Sequence, residues 1–199
     1  ILFGGMYDAS LIGLLAKFLS FSSVQVIPTI HNTFFQYLSA PKFKNIISKI
    51  LAQLLFPLAP TIICVSKGVA QNLESKLWMK AAIRVIYNPI DTKEVIRLSQ
   101  LPLDRPLKPN TIVAVGRLAN QKNFELLIRA FNKVIATKDA HLLILGEGPL
   151  REKLEQLIEN LNLGKKVSLM GYQLNPYPYI ANAEMLVLSS HVEGFGNVL

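Results

Sequence analysis

Two cations follow the end of a predicted strand in the second half of the chain. The strand comprises residues 111–115, and Gly116, Arg117 and, five residues further on, Lys122 come after it. A glycine at a strand end lets the backbone approach a ligand, and the loop leads into a predicted helix whose N-terminus attracts anions. This pattern is typical of a phosphate or diphosphate site. The alternative is an exposed loop whose cations pair with nearby acids.

Two other strand ends carry polar side chains. Glu193 follows the last apolar strand among small residues, where a carboxylate can accept hydrogen bonds from sugar hydroxyls and the next glycines can present amides. His31 follows a strand at residues 24–30, and its imidazole can donate to a phosphate or a sugar. The alternatives are a solvated glutamate in a turn and a structural histidine.

A glycine-rich turn follows a fourth strand. Gly146 and Gly148 come before Pro149, which is expected at the first position of a helix. Arg151 stands where a dinucleotide fingerprint needs its third glycine, so the turn is expected to be structural. The chain also lacks a Walker A sequence, which leaves a P-loop enzyme without support.

The elements that position these residues alternate along the chain. Short apolar strands are predicted at residues 24–30, 61–65, 83–87, 111–115, 141–145, 166–170 and 185–188. Helices are predicted at residues 10–19, 42–55, 66–77, 123–136 and 149–161, and after residues 91 and 175. This alternation predicts an α/β fold with parallel sheets. Three prolines between residues 102 and 109 indicate a connector between two Rossmann-like domains, at residues 1–103 and 104–199.

Composition excludes several classes of protein. Of the 199 residues, 51% are hydrophobic and 17% charged, which excludes intrinsic disorder. The single Cys64 excludes a disulfide scaffold, and its apolar neighbours indicate a buried thiol in a reducing compartment. The longest uncharged stretches contain proline and polar residues, so no membrane-spanning helix is predicted. We therefore expect a cytoplasmic protein.

The net charge of +8 is concentrated in the first half of the chain. Residues 1–103 hold 10 Lys and Arg against 4 Asp and Glu, whereas residues 104–199 hold 11 against 9. An anionic partner of the first half is one explanation, and ordinary surface lysines are the other. The helix that carries Lys42, Lys44 and Lys49 could lie on an anionic membrane or pack on the core with solvated lysines. The cations are dispersed without a recognition motif, so nucleic-acid binding is not expected.

Taken together and in order, these motifs resemble family 4 glycosyltransferases, which are retaining enzymes with the two-Rossmann GT-B fold. The resemblance covers nearly the whole chain. Its second half contributes V-G-R-L-x-x-Q-K-N from Val115, L-G-E-G-P from Leu145, Gly171-Tyr172 and S-S-x-x-E-G-F-G-N-V-L from Ser189. Its first half contributes I-H-N from Ile30, I-C-V-S-K from Ile63 and V-I-Y-N-P-I-D from Val85.

The resemblance implies a role for each residue of the donor site. Arg117 and Lys122 would clamp the donor diphosphate, with Gly116 beside them, and such fixed cations can replace a metal ion. The chain has no Asp-x-Asp sequence, so neither a metal nor another cofactor is expected. Gly171 and Tyr172 lie where the family holds the nucleobase.

The resemblance also implies the catalytic groups. Glu193 would bind donor-sugar hydroxyls, and backbone amides near Phe195 and Gly196, next to Gly194, would fix the sugar and phosphate. His31 would reach across the cleft from the other domain. The expected partners are a nucleotide-sugar, a saccharide or lipid-linked acceptor, and an anionic membrane surface on the cytoplasmic side.

One departure from the family pattern concerns the E-x7-E motif. Its second glutamate would stand eight positions after Glu193, beyond Leu199. The first strands of the first Rossmann domain also have no counterpart, so we expect an internal fragment in which both domains are incomplete. The expected activity is retaining, metal-independent hexosyl transfer in cell-envelope polysaccharide or lipopolysaccharide synthesis. The alternative is a truncated, non-catalytic remnant of such an enzyme.

Overall fold

The computed structural model describes residues 1–5, 7–32, 43–78, 81–103 and 105–196. These residues form two compact units. The first contains the described part of Ile1–Pro89 together with residues 192–196, and the second contains that of Ile90–His191. The two are described separately below.

The first unit is built on a four-stranded parallel sheet. Its elements are β1 (Leu2–Gly4), α1 (Tyr7–Leu19), β2 (Val26–Ile30), α2 (Phe43–Leu55), a 3-10 turn (Phe56–Leu58), β3 (Ile62–Cys64), α3 (Lys67–Glu74) and β4 (Ile83–Val85). The strands pair in the order β1-β2-β3-β4, and every pair is parallel. Each strand therefore pairs with the strands next to it in the chain.

Local sequence explains how these elements begin and where they pack. The hydroxyl of Ser66 accepts a hydrogen bond from the amide of Val69 at 3.2 Å, which caps α3 at its predicted start. Ile30, Ile62 and Cys64 are fully or almost fully buried in the core of this unit. Buried and half-buried residues alternate along β2 and β3, so these residues lie on the face of the sheet that packs against the core.

The second unit holds another four-stranded parallel sheet. Its elements are α4 (Thr92–Ser99), β5 (Thr111–Val115), a 3-10 turn (Asn120–Lys122), α5 (Phe124–Val134), β6 (His141–Leu145), α6 (Arg151–Asn160), β7 (Val167–Gly171), α7 (Tyr177–Ala181) and β8 (Met185–Leu186). The strand order is β7-β6-β5-β8, and every pair is parallel. The order reverses at β5, since β6 and β7 lie on one side of it and β8 on the other.

Helix α5 shows how the apolar pattern positions a helix on this sheet. Phe124, Leu127, Ile128 and Phe131 recur at helical spacing, and all four are buried. They pack in one core with Ile144 of the neighbouring strand. The helix is therefore fixed on the sheet directly after the loop that carries the two predicted cations.

The α/β fold with two parallel sheets is confirmed, and strands β5 and β6 have the predicted bounds. Strand β1 was not predicted, because only three residues form it. Helix α6 begins at Arg151 instead of Pro149, since the amide of Leu150 donates to the carbonyl of Leu118 in the neighbouring loop. In the described part of the chain, no helix combines the length and apolar character needed to cross a bilayer.

The division of the chain differs from the predicted boundary after residue 103. Helix α4 belongs to the second unit, where it contacts α7, and the side-chain amide of Asn175 donates to the carbonyl of Leu98 at 3.0 Å. Residues 192–196 join the first unit, where Phe195 packs against the core and its ring lies 5.9 Å from that of Tyr87. Packing thus places the boundary between the two units near residue 89, and residues 192–196 belong to the first unit.

Candidate functional site

The reversal of strand order in the second unit marks where a ligand is expected to bind. In open parallel sheets, ligands bind beyond the carboxyl ends of the strands at the point where the order reverses. Here that point lies between β5 and β8. The loop after β5 carries Gly116, Arg117 and Lys122, and residues 189–191 follow β8.

Hydrogen bonds join the chain after β8 to the chain after β5. The hydroxyl of Ser189 donates to the carbonyl of Lys122 at 2.7 Å. The amide of His191 donates to the carbonyl of Gln121 at 2.9 Å. The loop with the predicted cations is therefore held against the chain that follows β8.

The loops after β5, β6 and β7 form one continuous hydrogen-bonded surface. The amide of Gly116 donates to the carbonyl of Leu145 at 2.9 Å, and that of Gly146 donates to the carbonyl of Gly171 at 2.8 Å. The amide of Leu118 donates to the carbonyl of Glu147 at 2.9 Å. Three predicted segments, at residues 116–122, 145–149 and 171–172, are thus brought together.

This close approach of loops explains the glycine at position 146. Its φ is +143°, and a Cβ at this position would overlap the carbonyl oxygen of Gly116. The predicted structural role of the turn is therefore supported. At the same time, its backbone forms part of the surface on which the candidate ligand site lies.

The two cations differ in their surroundings. Arg117 is exposed, and in the described ranges of the chain no carboxylate pairs with it. The side chain of Lys122 is half-buried, and its Cε lies 2.9 Å from the point that a Cβ on Gly116 would occupy. An exposed arginine in the same loop as a lysine stem held against Gly116 is a combination that can bind an anion.

The segment around Glu193 lies with the first unit and against the end of β2. Gly194 is buried, and a Cβ there would overlap the carbonyl oxygen of His31. The His31 residue is exposed. His31 and the 193–196 segment therefore lie in one unit, whereas the sequence placed them in different domains.

The end of β7 presents an aromatic ring to solvent. Gly171 has a φ of +75°, in the left-handed region, and the next residue, Tyr172, is 71% exposed. An exposed ring beside a backbone turn can stack on a planar group.

In the part of the chain that the structure describes, no group of three His, Cys, Asp or Glu side chains is placed to hold a metal ion.

The sequence interpretation missed one side-chain cluster at this edge of the sheet. Arg151 donates from Nη1 to Glu147 Oε1 at 2.7 Å, and its Nε lies 2.9 Å from Glu155 Oε1. The spacing of these residues, four apart on each side of Arg151, was the available signal. Arg151 had been considered only as the residue that replaces a glycine.

Comparison with known proteins identifies the family. The family model described as "Glycosyl transferases group 1" matches residues 99–199, and that described as "Glycosyltransferase Family 4" matches residues 4–94. The chain is 40% identical over 159 residues to a protein of Campylobacter jejuni, the N-acetylgalactosamine-N,N'-diacetylbacillosaminyl-diphospho-undecaprenol 4-alpha-N-acetylgalactosaminyltransferase. The aligned region covers 79% of this chain and 42% of the relative. It is 32% identical over 138 residues to the lipopolysaccharide core biosynthesis glycosyltransferase LpsD of Rhizobium meliloti, with coverage of 69% and 39%. The chain thus spans about two fifths of the length of these relatives.

Solved structures show the same fold. The Anabaena protein Alr3699/HepE in complex with UDP and glucose matches with a TM-score of 0.74 at 18% identity, covering 98% of this chain and 54% of that chain. Sucrose-phosphate synthase from Thermosynechococcus elongatus matches with a TM-score of 0.74 at 19% identity, covering 97% and 51%. One family model matches the first half of the chain and the other matches the second half. The chain therefore belongs to the family 4 glycosyltransferases of the GT-B fold.

Proposed function

We propose that this chain binds a nucleotide-sugar and transfers its hexose, with retention of configuration, to a saccharide or lipid-linked acceptor in cell-envelope glycan synthesis. The observation that carries the proposal is the exposed Arg117 beside Lys122 at the reversal of strand order. The Campylobacter relative is named as a transferase for a diphospho-undecaprenol-linked saccharide and the Rhizobium relative as a lipopolysaccharide core biosynthesis glycosyltransferase, which supports this acceptor class.

In the proposed reaction, the two cations act on the leaving group. Breaking the bond between the sugar and the diphosphate leaves negative charge on the nucleoside diphosphate. Arg117 and Lys122 would stabilise that charge more strongly in the transition state than in the bound donor, which lowers the barrier. Because these fixed cations supply the positive charge, the proposed reaction needs no metal ion.

The remaining groups position the donor. Glu193 would accept hydrogen bonds from the sugar hydroxyls, and the backbone amides near Phe195 and Gly196 would hold the sugar and the phosphate. His31, whose backbone contacts Gly194, would donate to the sugar or the phosphate. Tyr172 would stack on the nucleobase.

We also propose that helix α2 contacts an anionic membrane surface. Ile46, Ile50 and Leu54 follow one another at four-residue spacing and are 51%, 46% and 51% exposed, whereas Ala52 and Leu55 are buried in the core. An exposed apolar row with Lys49 beside it suits an interfacial helix; the side chains of Lys42 and Lys44 lie outside the described residues. Cosedimentation with phosphatidylglycerol vesicles, weaker with phosphatidylcholine vesicles and lost in Ile50→Ser, is the expected result. Equal cosedimentation of the unaltered chain and Ile50→Ser with phosphatidylglycerol vesicles would contradict membrane contact through α2.

Calorimetric titration of the full chain with UDP, GDP, ADP and dTDP tests the donor site. We expect Arg117→Ala to weaken binding of the preferred nucleotide by about tenfold or more, because a desolvated cation–phosphate contact is lost. Lys138→Ala is the matched control, since it removes one positive charge from an exposed turn after α5. This turn precedes β6 and so lies away from the carboxyl ends of the strands. Unchanged affinity in Arg117→Ala would contradict the diphosphate assignment.

Sugar transfer by the same chain separates the proposal from its alternative. Release of nucleoside diphosphate that depends on an added saccharide or lipid-linked acceptor supports a glycosyltransferase. Nucleotide binding without any transfer would instead favour the non-catalytic remnant.

A further inference from the structure

Arg151 joins three parts of the second unit at the carboxyl edge of its sheet. Its guanidinium donates to Glu147, in the loop after β6, and pairs with Glu155, one turn further along α6. Its Nη2 also lies 3.4 Å from the carbonyl oxygen of Leu169, near the end of β7. One side chain thus connects a loop, a helix and a neighbouring strand.

This arrangement differs from that of an ordinary surface ion pair. Arg129 pairs with Glu125 at the same four-residue spacing, but its side chain is 54% exposed, against 36% for Arg151. Glu125 also pairs with Lys153, and exposed pairs of this kind contribute little to stability. The two carboxylates and the carbonyl around Arg151 instead use the planar fork of donors that only arginine provides.

Glu147 occupies the central position in this network. Its backbone carbonyl accepts from Leu118, in the loop that carries the predicted cations. Its Oε1, held by Arg151, lies 3.0 Å from the point that a Cβ on Gly171 would occupy. The carboxylate therefore lies against the left-handed backbone of Gly171, directly before the exposed ring of Tyr172.

From these contacts we propose that Arg151 is a positioning residue that fixes the Gly171–Tyr172 turn, through Glu147, for recognition of the nucleobase. The inference rests on the proposed function, because it assumes that a nucleoside diphosphate binds at this edge. Without Arg151, the Glu147 carboxylate turns towards solvent and the turn samples other conformations. The observed affinity for each nucleotide is then reduced in proportion to the fraction of molecules in which the turn has its binding conformation.

The test compares Arg151→Met with Arg129→Met, which makes the same chemical change in an ion pair of the same spacing. In Arg151→Met we expect the Kd of the preferred nucleoside diphosphate and the KM of its sugar donor to rise about five- to tenfold, with kcat within about twofold. Affinity for inorganic pyrophosphate should stay unchanged, since Arg117 and Lys122 are untouched. Arg129→Met should leave all of these quantities at their original values.

A purely structural role for Arg151 would lower pyrophosphate and nucleotide affinity together, and that result would overturn the inference. Equal nucleotide affinity in Arg151→Met and the unaltered chain would overturn it as well. Glu147→Gln, which keeps the size of the side chain, should reproduce the nucleotide-specific loss even where Arg151→Met folds poorly. If the unaltered chain binds none of the four nucleotides, the proposed function fails, and this inference fails with it.

Discussion

The side chain of Lys122 lies across the face of Gly116, with its Cε 2.9 Å and its Cδ 3.0 Å from the point that a Cβ on Gly116 would occupy. The sequence had suggested that this glycine lets a ligand approach the backbone. In the structure the space is used by the protein itself, because it accommodates the lysine stem. Gly116 therefore helps to set the position of the proposed phosphate-binding ammonium.

A methyl group at position 116 should displace this lysine. In Gly116→Ala we expect nucleoside diphosphate affinity to fall by about fivefold or more, because the cation moves away from its site. The chain should also lose some stability, because Gly116 has a φ of +159°, which residues with a Cβ rarely adopt, although the lysine side chain itself can move at low cost. Calorimetric titration and thermal unfolding measure the two effects.

Gly164→Ala is the control for this substitution, because a Cβ at Gly164 meets no atom within 4 Å. If Gly116→Ala binds nucleotide as tightly as Gly164→Ala does, the position of Lys122 does not depend on Gly116.

A second prediction concerns the contact between Gly194 and His31. In Gly194→Ala the new methyl group would overlap the His31 carbonyl and lie 3.0 Å from the Cα of Asn32. Both are backbone atoms that cannot move aside easily, so the segment with Glu193 should shift. We expect sugar transfer to fall by roughly tenfold or more, because misplaced groups near the reacting atoms lose rate steeply.

Binding of a nucleoside diphosphate without a sugar should fall less than transfer does in Gly194→Ala, because the amides near Phe195 and Gly196 would move but the proposed phosphate cations Arg117 and Lys122 lie on another segment. Gly68→Ala serves as the control within the first unit, since the nearest atom to its Cβ is the Ser66 hydroxyl at 3.9 Å. Normal transfer by Gly194→Ala would show that the segment tolerates displacement.

A third prediction follows from the buried thiol on β3. Burial, with a smaller effect from the charge of Glu74, raises the pKa of Cys64 from 9.0 to about 12. In the unfolded chain the thiol ionises near its ordinary pKa, so the unfolded state is the first to be stabilised by ionisation as pH rises. Stability is therefore fully present below about pH 9 and is lost between that pH and about pH 12, at about 1.4 kcal/mol for each pH unit.

Urea unfolding at pH 7.5 and pH 10 measures this loss. Burial also raises the pKa of Tyr7, so the control has to isolate the thiol. Cys64→Ala should lower stability at both pH values but reduce the difference between them by about 1.5 kcal/mol. An equal pH difference in both proteins would indicate that the thiol ionises alike in the folded and unfolded chains.

Local patterns in the sequence predicted much of the fold. Strands β5 and β6 are continuous apolar runs that end at glycines, and their bounds were predicted to the residue. The start of α4 after residue 91 was also predicted, and there Asp91 accepts a hydrogen bond from the amide of Glu94 at 3.0 Å. Such features depend on neighbours in the chain, which is why the sequence reveals them.

Features that depend on distant partners were predicted less well. The three residues of β1 form a strand because β2 pairs with them, and no local pattern reports that pairing. The division near residue 89 follows from packing of α4 on α7 and of Phe195 on the first core. Likewise, the bond from Ser189 to the carbonyl of Lys122 joins residues 67 positions apart.

The sequence by itself determined that this chain forms alternating strands and helices, that cations and glycines follow particular strands, and that their order is that of family 4 glycosyltransferases. Only the tertiary structure decided which of those strand ends are neighbours. It placed β8 beside β5, set the stem of Lys122 on Gly116, and connected Glu147 to the end of β7 through Arg151. The physical reason is that periodicity and capping act within a few residues, whereas strand order and loop contacts result from burial and hydrogen bonding between distant segments.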